Sequence, residues 1–149
     1  MRQSLSEIGS PGVLRLLWAG LLATALTTLY AVVDPLTTRL LAAQVEAGYP
    51  SYTPEEVGTA AGAYVAILAA IGVLGIAGWV VTILLARAGK RAAVWLGVVL
   101  CAVGVLVALT GLATPDTSGT IGLAPVFGWL LLAPCAIGAF ALAAMWRRA

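Results

Sequence analysis

The chain has 149 residues, of which 62% are hydrophobic and only 9% charged, and its mean hydropathy is +1.05. Because about a quarter of the residues in a soluble domain are charged, this composition excludes an ordinary soluble domain and predicts one all-α, polytopic membrane domain. The net charge of +2 comes from cations at loops and tails, so we expect no nucleic-acid partner, and the sequence has no histidine to act as a general base or metal ligand.

The first apolar segment predicts a membrane-spanning helix over residues 13–33. About 21 residues at 1.5 Å each match a hydrocarbon core about 30 Å thick. The segment is also longer than the apolar part of a cleaved signal peptide, so we expect a span instead. Asp34-Pro35 follows, and because the residue before proline avoids the α conformation, the helix is predicted to end or kink there.

Residues 34–50 predict a short amphipathic helix near the outer surface, beginning at Pro35 with Asp34 as its cap and ending by Gly48. A straight extension of the first helix is the competing interpretation. Four apolar side chains share one face of the short helix: Leu36, Leu40, Leu41 and Val45. A small bundle does not obviously cover this face, so lipid headgroups, the bundle itself and a partner protein all remain open.

Thr53-Pro54-Glu55-Glu56 is the clearest helix start, because Thr53 and Glu56 form a capping box and Pro54 suits the first position. The helix is predicted to run to Ala88, with its membrane span over 60–86. At about 50 Å it exceeds the hydrocarbon thickness. Its first turns should therefore stand outside the bilayer, or the helix should tilt.

The loop Arg87-Ala88-Gly89-Lys90-Arg91 carries three cations between two apolar segments and predicts a tight cytoplasmic hairpin. A third span is predicted over 92–113, a turn-rich loop over 114–119 and a fourth span over 121–145, with a kink at Pro134. The predicted architecture is an antiparallel bundle of four transmembrane helices, with a short extracytoplasmic helix between the first two.

The cations predict the orientation, because short loops rich in Lys and Arg stay inside. With both termini cytoplasmic, only Arg39 of the eight Lys and Arg residues lies outside. The inner seven are Arg2, Arg15, Arg87, Lys90, Arg91, Arg147 and Arg148. A composition dominated by Ala, Gly, Val and Leu, with seven Arg to one Lys, is typical of a GC-rich bacterial genome, so we expect a bacterial plasma membrane.

Small residues form stripes along the predicted spans and indicate close helix packing, inside the bundle or against another protein. The packing candidates are Gly58, Gly62, Gly97, Cys101, Gly104, Cys135 and Gly138. Cys101 and Cys135 each lie about ten residues from the inner end of a helix, so they are expected to meet at mid-depth if those helices are neighbours. Small buried residues are the alternative to any thiol chemistry.

Asp34 is the strongest polar candidate for a ligand site, at the outer mouth with Tyr30 nearby and Tyr64 on the next helix. A helix cap with interfacial aromatics is the alternative. Leu40 and Leu41 are the candidates for contact with a ligand or partner. No Asp, Glu or Lys lies near the middle of a predicted span, which argues against secondary active transport.

The span plan and the Arg87–Arg91 loop, followed by Trp95, resemble a broad group of small uncharacterised actinobacterial membrane proteins with four helices. That group often has an aromatic and further basic residues after an Arg-Ala-Gly loop. Here Trp95 lies later than in the group, and the segment from Asp34 to Thr53 is longer. The resemblance implies a fold and a compartment, without an activity or site residues.

The sequence therefore predicts a non-catalytic accessory or interaction subunit of a membrane complex. We expect membrane lipids as neighbours and a membrane-protein partner or self-association. The alternative is a carrier, sensor or binder of a small or lipidic ligand at the outer face. No enzyme activity, cofactor or metal is predicted.

Overall fold

The computed structural model describes residues 8–147, which form five α-helices and a short 3-10 turn. The helices are α1 (Pro11–Val33), α2 (Leu40–Gly48), α3 (Pro54–Arg87), α4 (Ala92–Ala113) and α5 (Pro125–Trp146). All except α2 are long and apolar enough to cross a membrane, as in a multi-pass membrane protein. The all-α class and the four long apolar helices predicted from the sequence are confirmed.

The boundaries of α3 follow from its two ends. At the start, the Thr53 hydroxyl accepts the Glu56 N–H at 3.3 Å, and the Glu56 carboxylate accepts the Thr53 N–H at 2.8 Å, which is the predicted capping box. At the other end, Gly89 adopts φ 63° and donates its N–H to the Ala86 carbonyl. A left-handed glycine is a common way to end a helix, and it turns the chain into α4, which begins at Ala92 as predicted.

α5 begins at Pro125, four residues later than the predicted span start at Ile121. Ile121 instead forms an isolated bridge with Pro115, which closes the preceding loop. Ala124 is extended, with ψ 125°, as expected for a residue before proline. Proline is a suitable first helical residue, because the N–H that it lacks would have no intrahelical partner at that position.

α2 also begins later than predicted, at Leu40 and not at Pro35. Asp34–Leu36 forms the 3-10 turn, and Arg39 adopts a left-handed conformation with φ 52°. This turn separates α2 from α1, so the competing interpretation, in which this segment is a straight extension of α1, is wrong. Asp34 still caps α2, but across the intervening turn.

The four long helices form a ring in which α1 and α4 each pack against both α3 and α5. The starts of α1 and α4 share one hydrophobic cluster with the ends of α3 and α5. We call this the basic end, because it carries Arg15, Arg87, Lys90, Arg91 and Arg147. Arg2 and Arg148, which also entered the orientation count, lie outside the described residues.

At the opposite end, which we call the acidic end, α2 packs across the bundle. Leu41 and Val45 are 1% and 4% exposed, and Leu41 belongs to a cluster with Ala31, Leu68 and Phe127. Thus the bundle itself covers most of the apolar face of α2, which was one of the three open alternatives. Leu36 is the exception, at 88% exposed.

Candidate functional site

Asp34 is a structural cap in this fold. Its carboxylate is 1% exposed and accepts three hydrogen bonds, from the Thr38 hydroxyl at 2.5 Å and from the backbone N–H groups of Leu40 at 2.9 Å and Leu41 at 3.1 Å. These are the N–H groups that a helix start leaves without intrahelical partners. The structure therefore favours the capping alternative over a ligand pocket at Asp34.

Three of the other predicted outer-site residues meet Asp34: Leu40 and Leu41 through their backbone N–H groups, and Tyr30 through the Thr38 hydroxyl. The Tyr30 hydroxyl lies 3.3 Å from the Thr38 hydroxyl, and its ring lies 5.5 Å from that of Phe127. Tyr64 lies elsewhere, with its hydroxyl against Gly122. Leu40 is half-buried and Leu41 is in the core. The predicted contact surface at Leu41 is therefore wrong, because α2 turns this side chain into the bundle.

Polar bonds attach α2 to the loop between α4 and α5. The Gln44 amide donates to the Ile121 carbonyl at 2.6 Å, and the hydroxyls of Tyr49 and Thr117 are hydrogen-bonded. In the loop, the Ser118 hydroxyl and backbone N–H both donate to Asp116. These bonds lower the pKa of Asp116 below its ordinary value. The acidic end is thus closed by a helix and a loop that support each other.

Beneath α2, the bundle contains a cavity of about 250 Å³. Residues of all four long helices line it, and none of these described residues is charged. On α1 the lining extends from Leu17 to Ala31, which is about 21 Å at 1.5 Å per residue. Ala31, Leu68 and Phe127 are among the lining residues and belong to the cluster under α2. The cavity is therefore long, and α2 roofs it at the acidic end.

The polar groups in the cavity wall are satisfied within the protein. The hydroxyls of Thr24, Thr27, Thr28 and Thr82 each donate to the carbonyl four residues earlier, at 2.7–2.9 Å. Threonines commonly make this bond when a helix lacks other partners for them. Among the described residues, no buried side-chain nitrogen or oxygen lacks a hydrogen bond. The wall thus offers a guest molecule apolar contact and no unpaired side-chain donor.

Trp79 projects from α3 across the bundle and forms part of this wall. Its indole N–H donates to the Thr24 hydroxyl at 2.8 Å. Glycines on two other helices leave room for the ring: a Cβ on Gly20 would lie 2.5 Å from the indole Cζ2, and one on Gly138 would lie 3.2 Å from Cη2. This cluster was not predicted from the sequence, although a tryptophan far from the interfacial belts is a usable signal.

The two cysteines meet in the cavity wall, as their spacing predicts for neighbouring helices. The Cys101 thiol donates to the Cys135 carbonyl at 3.4 Å, and the Cys135 thiol donates to the Leu131 carbonyl at 3.4 Å. Both are free thiols. A Cβ on Gly104 would lie 2.7 Å from the Cys135 sulfur, so small residues here allow α4 and α5 to approach closely.

The remaining packing candidates divide into two groups. A Cβ on Gly97 would lie 2.7 Å from Leu142 Cδ2, which places Gly97 in the α4–α5 contact. Gly58 and Gly62 are exposed, and a Cβ on either would meet nothing within 4 Å. The prediction that these two glycines pack inside the bundle is therefore wrong, and contact with another protein is the alternative left for them.

Comparison of the chain with protein-family models, curated proteins and solved structures finds no match. The resemblance to small actinobacterial membrane proteins therefore stays a prediction. Among the described residues, no group of three or more His, Cys, Asp or Glu side chains is placed to hold a metal ion. The cavity is the candidate functional site.

Proposed function

We propose that the protein resides in a bacterial plasma membrane, with its four long helices antiparallel, its termini and basic end in the cytoplasm and α2 outside. The support is the separation of charge along the bundle. The described cations other than Arg39 lie at the basic end, whereas Asp34, Glu46, Glu55 and Asp116 lie at the other. Short cation-rich loops are retained on the cytoplasmic side during insertion.

Reporter fusions test this orientation. An enzyme active only in the cytoplasm should be active when inserted at Gly89 and inactive when inserted at Tyr49, and a periplasmic reporter should show the opposite. Cytoplasmic activity at Tyr49 would contradict the proposed orientation.

We propose that the function is binding of an apolar molecule inside the bundle, without catalysis. The observation that carries this proposal is the cavity of about 250 Å³ with its uncharged, hydrogen-bond-satisfied wall. An apolar cavity of about 150 Å³ is already large enough to bind benzene. This proposal keeps the alternative predicted from the sequence, a binder of a small or lipidic ligand. It places the binding site inside the bundle and not at the outer mouth.

Apolar photolabelling tests ligand binding directly. Membranes containing the protein are irradiated with trifluoromethyl-phenyl-diazirine, and the labelled residues are mapped by mass spectrometry. We expect labels at buried lining residues such as Thr24, Leu68 and Phe127. Val107→Phe should reduce this labelling because residue 107 lines the cavity. Val99→Phe is the matched control on the same helix, because Val99 is 55% exposed and outside the lining. Labels confined to exposed residues would contradict the proposal.

A second candidate function is the accessory or interaction subunit predicted from the sequence. It is favoured by one observation, the exposed stripe of Gly58, Gly62, Ala66 and Ala70 on α3. Gly58→Leu with Gly62→Leu should then remove a co-purifying membrane protein or a dimer in mild detergent. Gly12→Leu is the control, since a Cβ at Gly12 also meets nothing within 4 Å. Unchanged association would contradict this candidate.

A further inference from the structure

The cavity reaches the outer surface of the bundle between α3 and α4. Of the described residues that line it, only Leu74 on α3 and Val103 on α4 are exposed, at 71% and 52%. The other lining residues are buried or half-buried. The seam between these two helices is therefore the route by which a molecule outside the bundle would reach the cavity.

The packing of α4 explains why this seam is open. Toward the basic end, α3 and α4 are close, because a Cβ on Gly78 would lie 2.7 Å from Leu100 Cδ1. Toward the acidic end, α4 follows α5: a Cβ on Gly128 would lie 2.5 Å from Leu112 Cγ. Within the described residues, the acidic-end cluster contains no residue of α4. α4 thus diverges from α3 beyond Leu100, and the opening lies where it does so.

In the proposed membrane orientation, the opening lies near the depth of the bilayer midplane. Leu74 lies 13 residues before Arg87, and Val103 lies 11 residues after Ala92. These separations correspond to about 20 Å and about 16 Å from the basic end. The midplane of a hydrocarbon core about 30 Å thick is about 15 Å from its edge. The surrounding solvent at the opening is therefore hydrocarbon chains, and headgroups are far away.

The shape of the cavity matches a chain. Its lining extends over about 21 Å of α1, which is more than half of the hydrocarbon thickness. A cavity of about 250 Å³ drawn out over that length is narrow. Its uncharged wall provides no partner for an ionic headgroup. A slender, flexible hydrocarbon can fill such a space along its length, whereas a charged molecule finds no ionic partner in it.

We propose that the occupant is the hydrocarbon chain of a bilayer lipid, which enters sideways between Leu74 and Val103 and lies along Trp79 while its headgroup stays outside the bundle. This inference rests on the proposed binding of an apolar molecule in the cavity. It adds the class of ligand and the route of entry.

Quenching of Trp79 by brominated lipid tests the proposal. The four other tryptophans, which are 53–65% exposed, are replaced by phenylalanine. They are Trp18, Trp95, Trp129 and Trp146. The protein is placed in vesicles of phosphatidylcholine brominated near the ends of its acyl chains. We expect quenching of Trp79 fluorescence, because a chain inside the cavity brings bromine to the indole.

The route is tested by narrowing the opening. Leu74→Phe with Val103→Phe should abolish the quenching by brominated phosphatidylcholine. The matched control is Val73→Phe with Val99→Phe, on the same helices at exposed positions outside the cavity lining, and it should leave quenching unchanged. Quenching that persists in the narrowed variant would overturn entry between Leu74 and Val103.

The outcomes separate this inference from the function on which it rests. In vesicles of unbrominated lipid, dissolved bromododecane supplies a free apolar molecule. Quenching by bromododecane without quenching by the phospholipid would overturn the lipid-chain ligand and leave apolar binding intact. Quenching by neither would overturn both. If the single-tryptophan variant does not fold, a phosphatidylcholine with a diazirine at its chain end is used with the unaltered protein. Cross-links at buried Leu68 or Phe127 support the proposal, and their absence overturns it.

Discussion

The two ends of the bundle are held together in different ways. At the basic end, residues of all four long helices share one apolar cluster, and the Trp79 indole occupies the space beside Gly20. At the acidic end, α4 is absent from the apolar cluster within the described residues, and polar bonds from Asp34 and Gln44 fasten α2 instead. The basic end is therefore held by apolar packing of all four long helices, and the acidic end partly by polar bonds, with the cavity opening between them.

The largest expected effect comes from disrupting the packing of the basic end at Gly20. In Gly20→Leu the new side chain overlaps the Trp79 ring, which is rigid and also held by its hydrogen bond to Thr24. We expect a loss of about 3 kcal/mol in unfolding free energy, at the upper end of overpacking costs. Reversible unfolding in mixed micelles measures it. Gly12→Leu should be close to neutral, and an equal loss in both would mean that leucine acts through something other than the Trp79 contact.

A smaller effect is expected at Gly104, where the neighbour can move. The Cβ of Gly104→Leu would lie 2.7 Å from the Cys135 sulfur, but a cysteine side chain can rotate away, so we expect a loss of about 1–3 kcal/mol. Gly62→Leu is the matched comparison, since nothing lies within 4 Å of that position. Equal thermal shifts for the two variants would show that a glycine with a close neighbour and a glycine without one respond alike to leucine in this bundle.

Much of the fold was predictable because its determinants are local. Apolar length gave the four long helices, and the capping box at Thr53 gave the start of α3. The start of α2 was misplaced because the Asp34–Leu36 turn and left-handed Arg39 intervene, and the start of α5 because Ile121 is held in the preceding loop. Gln44 reaches the Ile121 carbonyl 77 residues away, and that contact holds Ile121 in the loop.

The candidate site was harder to predict, because a cavity is defined by what several helices leave unfilled. The same residue type behaves in opposite ways: Gly20 faces a tryptophan, whereas Gly58 faces nothing. A stripe of small residues shows that close approach is possible, but not which helix comes close. Asp34 was correctly identified as a possible cap, yet its burial under α2 required knowing where the chain folds back.

At the acidic end, Asp34→Asn should loosen α2 while leaving the basic end intact. The amide keeps the size of the side chain but has one acceptor oxygen in place of two, so the Leu40 and Leu41 N–H groups lose one of their two hydrogen bonds, at a net cost of about 1 kcal/mol. Arg39 is exposed at the start of α2, so trypsin cleavage after Arg39 should become faster. Cleavage after Arg87, at the other end, is the internal control. Equal acceleration at both sites would mean that the two ends unfold together.

The smallest expected effect is the pH dependence of the loop that supports α2. The Ser118 hydroxyl and N–H lower the pKa of Asp116 in the folded protein. A lowered folded-state pKa means that the ionised carboxylate stabilises the loop at pH values above its unfolded pKa of about 3.9. This contribution is lost as pH falls through the lower folded-state pKa. The thermal stability of Asp116→Asn should therefore be below that of the unaltered protein at neutral pH and equal to it in strong acid.

Ser118→Ala removes one of the two donors, so it should move the Asp116 titration, followed by NMR, back toward higher pH. A titration that Ser118→Ala leaves in place would show that this loop does not depend on the Asp116 bonds, and the polar fastening of the acidic end would then rest on Asp34 and Gln44.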